Sequence, residues 1–126
     1  MPLVRIDYRR GRPADFGLRA GAIVYAELMA IMKAPQDDNF QVLAEHGPEG
    51  LVYDPRYLGI QRSDGILFIQ ITLNEGRTTE QKKAFYRSVV ERLHTELGVR
   101  REDVLFSLVE VKKENWSFGN GEAPYA

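Results

Sequence analysis

Val4, Ile6 and Tyr8 alternate with Arg5 and Asp7 near the start of the chain, the two-residue period of a strand with one buried face. Pro2 opens this strand; proline has no N–H to give to a ladder, so it suits a strand's first residue or an edge. Gly11 and Arg12 make a turn, and Pro13 stands where a helix accepts its first residue. Phe16, Ala20, Ile23, Val24, Leu28, Ile31 and Met32 follow at helical spacing, one face turned inward. Gly17 and Gly21 weaken this helix, each by about 1 kcal/mol relative to alanine, and Lys33-Ala34-Pro35 stops it. A second strand is expected over about residues 40–45, followed by a polar loop rich in Gly, Pro and Asp over residues 46–64.

The pattern then restarts. Residues 66–73 read as a strand and Gly76-Arg77 as a turn. Thr78, with Gln81 three residues later, resembles a capping box. Phe85, Tyr86, Val89, Val90, Leu93 and Leu97 form the helical stripe, Gly98 ends it, and residues 104–111 are a strand. An offset of 65 positions (Arg12 to Arg77) lays Ile6 on Ile71, Gly11 on Gly76, Asp38 on Asp103, Leu43 on Leu108 and Glu45 on Glu110 without a gap. Such self-similarity marks a duplicated β-α-β module. Each crossover is expected to be right-handed, which puts its helix on one face of its two parallel strands. The expected fold class is therefore α+β: duplicated β-α-β units forming a four-stranded sheet with two helices on one face. Residues 1–126 form one domain in this reading, with repeat one at about 2–46, a connecting loop at 47–64, repeat two at 65–111 and an aromatic tail at 112–126. The other sheet face needs cover, and an oligomer supplies it.

Composition narrows the function classes. A net charge of -1 gives no hint of a nucleic-acid partner, which usually requires a basic surface. Without cysteine there is neither a disulfide framework nor thiolate chemistry. No apolar run approaches a membrane span, and the N-terminus lacks the apolar stretch of a signal peptide. The expectation is a soluble, cytoplasmic protein with no nucleic-acid or membrane partner.

Few residues look chemical. His46 and His94 are the only histidines, and neither stands at a ligand-like spacing, so no metal site is expected. No Gly-x-Ser-x-Gly elbow and no phosphate-cradling glycine loop occurs. Arg9, Arg10 and Arg12 read as a solvated turn. Arg77 lies between a strand and a helix, a position where α/β units often bind ligands. There it either holds a carboxylate through two parallel hydrogen bonds or pairs with Glu75 or Glu80. Pro2 has a second reading: if Met1 is removed, it becomes a terminal secondary amine on a rigid element. The segment from Asn115 to Tyr125 carries Trp116, Phe118 and Tyr125 in a glycine-rich end. That much aromatic surface suggests docking rather than fraying.

The Met-Pro start, the duplicated unit and four stretches together carry a family resemblance. The stretches are Asp38-Asn39-Phe40-Gln41-Val42-Leu43, Leu58-Gly59-Ile60-Gln61-Arg62-Ser63, the run Gly76 to Lys83, and Asn115-Trp116-Ser117-Phe118-Gly119-Asn120-Gly121. The chain resembles the tautomerase superfamily, which uses an amino-terminal proline and has the 4-oxalocrotonate tautomerase and MIF-like fold. Within it the sequence looks like the malonate semialdehyde decarboxylase-like branch, over almost its whole length. The resemblance implies a homotrimer acting on a small carboxylate substrate without a cofactor. It implies catalytic roles for Pro2, Asp38 and Arg77, with Arg77 binding the substrate carboxylate, and a pocket wall of Trp116 and Phe118, to which Tyr125 is added as a substrate-binding residue. One departure matters. The decarboxylase type carries two arginines before its second helix, and Glu75 stands at the first of these positions. The expected activity is keto–enol tautomerisation of a small 2-oxo acid. The alternatives are decarboxylation of a 3-oxo acid such as malonate semialdehyde, and a non-catalytic trimeric binding protein.

Overall fold

β1 (Leu3–Arg9) runs through the middle of a four-stranded sheet, parallel to β2 (Phe40–His46) on one side and antiparallel to β3 (Leu67–Asn74) on the other. β4 (Val104–Val111) pairs parallel with β3, so the order is β2-β1-β3-β4. Two helices, α1 (Phe16–Ala30) and α2 (Thr79–Leu97), make the two crossovers. This computed structural model describes residues 2–125; Met1 and Ala126 lie outside the described residues.

Alternation in β1 and β3 decides which face the helices cover. Val4, Ile6, Ile69 and Ile71 are buried against Ile23, Val24, Leu28, Phe85, Val89 and Leu93 of the helices. Phe85 meets Phe106 edge-on with ring centroids 5.8 Å apart, a geometry that aromatic quadrupoles favour. The opposite face keeps Leu3, Phe40, Val42, Leu105 and Val109 at 38–50% exposure, an apolar stripe left uncovered in the single chain.

The duplication is exact in register. Leu3 pairs with Phe40 in the first unit, and Phe68 with Leu105 in the second, 65 positions on. Gly11 and Gly76 both turn the chain at positive φ, +115° and +123°. Such values cost a residue with a Cβ and suit glycine.

α1 begins later than the proline signal predicts. Pro13 instead lies in a turn whose carbonyl accepts from the Phe16 N–H at 3.0 Å, and Asp15 stands at the N-cap without a side-chain cap bond. The helix glycines serve close packing. A Cβ on Gly21 would land on the Gln41 side chain, whose amide nitrogen donates to the Gly21 carbonyl at 2.8 Å.

α2 has the predicted capping box: Thr78 Oγ1 accepts from the Gln81 N–H at 3.1 Å, and Gln81 Oε1 accepts from the Thr78 N–H at 2.9 Å. Thr78→Ala is expected to cost about 1 kcal/mol, read as a lowered urea midpoint at unchanged m-value.

The arginines of the first turn are not all solvated, contrary to the sequence expectation. Arg9 donates to Asp64 Oδ1 at 2.9 Å and to the Leu51 carbonyl at 2.9 Å. Arg12 donates to the Gly65 carbonyl at 2.6 Å and lies over the Phe16 ring, 4.5 Å from its centroid. Burial lowers the Arg12 pKa, and the charge of Asp103 opposes that shift. Both arginines therefore hold the connecting loop to the body. Spacing along the chain does not reveal this, because their partners lie more than forty positions away in sequence.

Candidate active site

The start of β1 is the place to look. Pro2 is buried just ahead of Leu3. Leu3 pairs with Phe40 on one side and Thr72 on the other, so the neighbours of Pro2 come from the approach to β2 and from the end of β3. Asp38, half-buried, lies on the first of these segments and Asn74, half-buried, ends the second. The ladder extends one step past β3, where the Glu75 N–H donates to the Val111 carbonyl at 2.9 Å. That contact brings the turn before α2 beside the root of the tail.

Arg77 closes the corner. Its Nε donates to the Met32 carbonyl, just past α1, and its Nη1 to the Asn74 carbonyl, each at 3.0 Å. A guanidinium has five N–H donors, so three remain for a ligand. Among the described residues the side-chain hydrogen bonds of Arg77 go to these two carbonyls rather than to Glu75 or Glu80. Below the same turn Glu110 pairs with Lys82 at 2.9 Å. Its pKa is lowered, chiefly by the Lys82 hydrogen bond and also by the Gly76 backbone and the charge of Arg77.

The tail supplies the wall. Trp116 Nε1 donates to Asn74 Oδ1 at 2.8 Å. The Trp116 and Phe118 rings stack with centroids 5.7 Å apart, and Tyr125 meets Phe118 edge-on at 5.6 Å. On one side lies an apolar pocket of about 190 Å3 lined by Leu3, Phe40, Trp116, Ser117 and Phe118. On the other is a wider cleft of about 510 Å3, whose lining includes Asn74, Glu75, Lys112, Lys113 and Tyr125.

Pro2, Asp38, Arg77, Trp116, Phe118 and Tyr125 thus share one end of the sheet. The duplicated corner lies at the other end, where Leu67 takes the place of Pro2, Asp103 that of Asp38 and Arg12 that of Arg77. That corner is filled by chain: Asp103 accepts from the Ser63 N–H at 2.7 Å and from its hydroxyl at 2.5 Å. Arg12 is committed there, so it does not complete the first corner. Sequence reasoning missed Asn74, Ser117, Lys112 and Lys113 as lining residues. An asparagine at a strand end reads as a turn residue, and two lysines read as a solvated face.

The family model described as "Tautomerase enzyme" matches residues 38–119. The chain belongs to the tautomerase family. Relatives at full length agree. The probable tautomerase YusQ of Bacillus subtilis (strain 168) is 43% identical over 123 residues, covering 98% of this chain and 97% of that protein. YrdN of the same strain, also a probable tautomerase, is 31% identical with 99% and 96% covered. Among solved structures, the FG41 malonate semialdehyde decarboxylase inhibited by 3-bromopropiolate superposes with a TM-score of 0.89 at 32% identity, covering 98% of this chain and 93% of that one. This tautomerase-superfamily enzyme therefore sits in the malonate semialdehyde decarboxylase-like branch, with the four-stranded, twice-repeated β-α-β fold that the sequence predicted. Among the described residues no helix is long and apolar enough to cross a membrane.

Proposed function

We propose that this enzyme interconverts the enol and keto forms of a small 2-oxo acid, with Pro2 as the base once Met1 has been removed. Met1 itself lies outside the described residues. The observation that carries this reading is the placement of Pro2: buried, at the end of the sheet where Arg77 and the aromatic wall meet. A terminal amine ordinarily titrates at about 7.7–8.0, and burial favours its neutral form. The neutral nitrogen takes the enol hydroxyl proton. The freed oxygen pair closes the carbonyl, and the carbon–carbon double bond receives the proton back from the ammonium at C3. An O–H bond is thus exchanged for a C–H bond and the carbon–carbon double bond for a carbonyl, the σ bonds of the carbon skeleton stay intact, and the amine is regenerated. Arg77 holds the carboxylate with its remaining N–H groups, and Asp38 tunes the amine. Trp116, Phe118 and Tyr125 form the aromatic wall beside it.

Beside the wall lies an open apolar pocket of about 190 Å3, lined by Leu3, Phe40, Trp116, Ser117 and Phe118. The uncovered apolar stripe of the sheet supports a homotrimer, as does the trimeric assembly of the fused 4-OT of like fold. The likeness to malonate semialdehyde decarboxylase favours a second reading, loss of CO₂ from a 3-oxo acid. There a cationic Pro2 would stabilise the enolate.

The two readings separate in one pair of assays on Met1-free protein verified by mass. Ketonisation of enolic phenylpyruvate is expected well above the buffer rate, and CO₂ release from malonate semialdehyde is expected at the buffer rate. The reverse result would replace tautomerisation by decarboxylation. Buffer rates in both would leave a binding protein.

A further inference from the structure

Residues 112–125 are almost all exposed, yet they supply the aromatic wall of the candidate site. Exposed chain ends fray unless something ties them down. Among the described residues, one hydrogen bond joins this tail to the rest of the protein beyond the β4 ladder: Trp116 Nε1 to Asn74 Oδ1. The backbone carbonyl of the same asparagine accepts from Arg77 Nη1. Asn74 is also the last residue of β3, paired with Val111 just before the tail departs, and it lines the wider cleft. One residue thus ties the strand next to Pro2, the arginine of the site and the only tryptophan of the chain.

We propose that Asn74 is the positioning residue of this site: its side-chain oxygen fixes Trp116, and through the Trp116–Phe118–Tyr125 contacts it fixes the wall between the apolar pocket and the polar cleft. A half-buried indole N–H released from its acceptor must find water. The ring then turns outward and the Phe118 stack loses its support. The role concerns binding rather than proton transfer, because Asn74 acts through Trp116. The activity part of the test rests on the tautomerase reading; the fluorescence part does not.

Asn74→Leu removes the acceptor at similar size, and Asn74→Asp keeps one. In Asn74→Leu, Trp116 emission is expected to shift to the red and its quenching by acrylamide to rise. KM for enolic phenylpyruvate is expected to rise roughly three- to tenfold, the range one hydrogen bond supplies, with kcat changed less than twofold. Asn74→Asp is expected to restore both. Trp116→Phe removes the donor instead and is expected to raise KM similarly. The double variant with Asn74→Leu is expected to be no worse than either single change, since both remove the same contact. Unchanged emission and quenching in Asn74→Leu would overturn the proposal. So would an Asn74→Asp variant as impaired as Asn74→Leu, or fully additive effects in the double variant. If Asn74→Leu does not fold, an unchanged KM in Trp116→Phe overturns it by itself. If the wild-type protein ketonises nothing, the tautomerase reading fails while the fluorescence comparison still decides the role of Asn74.

Discussion

Protein that retains Met1 is expected to ketonise enolic phenylpyruvate about 10²–10⁴-fold more slowly than protein that starts at Pro2, the range a positioned general base contributes. With Met1 in place the proline nitrogen is an amide and has no basicity. Pro2→Ala tests the same group less completely. Met1-free Pro2→Ala protein still ends in an amine, but a primary one without the ring that fixes its direction. A loss near the lower end of that range is expected. The measurement is kcat/KM for the three proteins, each with its terminus verified by mass. Equal rates in all three would mean that the proline nitrogen takes no part, whatever else the corner binds.

The largest stability effect is expected at the opposite corner. Asp103 is 1% exposed, accepts two hydrogen bonds from Ser63, and lies 3.5 Å from Arg100 Nη1. Its charge also opposes the desolvation of Arg12, which is bonded to the Gly65 carbonyl. Asp103→Ala leaves that half-buried guanidinium without its counter-charge and two Ser63 donors without an acceptor. Removing one partner of a buried pair typically costs 3–5 kcal/mol. Because Arg100 is 45% exposed and can re-solvate, about 3 kcal/mol is expected, read from urea unfolding. The ketonisation rate of the folded fraction should be unchanged, since Asp103 sits at the far end of the sheet from Pro2. A loss below about 1 kcal/mol would show that the loop is held by other contacts.

The two corners also show what the sequence could and could not reveal. The duplication was readable because it is written in local patterns: alternation at Val4, Ile6 and Tyr8, the capping box at Thr78 and Gln81, and the paired Gly-Arg turns. Right-handed crossovers then put both helices on one face, whereas the antiparallel seam between β1 and β3 has no such local signal. Roles that depend on contact between distant segments were not readable this way. Arg12 and Arg77 occupy equivalent positions in the repeat, yet one binds the carbonyl of Gly65 and the other those of Met32 and Asn74. The difference lies in what fills each corner: the connecting loop at one end and the tail at the other. Pro13 failed as a helix start because the chain spends residues 13–15 on a turn. Asn74 carried no signal, since its importance comes from a tryptophan 42 positions away.

Ketonisation by this route needs a neutral amine at Pro2 acting as a base in a partly buried corner. In the proposed mechanism burial and the cation of Arg77 push that amine toward neutrality, while Asp38 opposes both. The most direct measurement is the titration of Pro2 in Met1-free protein by nitrogen-15 NMR with labelled proline, set against the pH dependence of kcat/KM. The expected result is a Pro2 nitrogen that loses its proton at a lower pH than an ordinary terminal amine, with kcat/KM for enolic phenylpyruvate rising as it does so. A nitrogen that stays protonated well above the pH at which an ordinary terminal amine titrates, or a rate indifferent to its titration, would contradict the base role of Pro2.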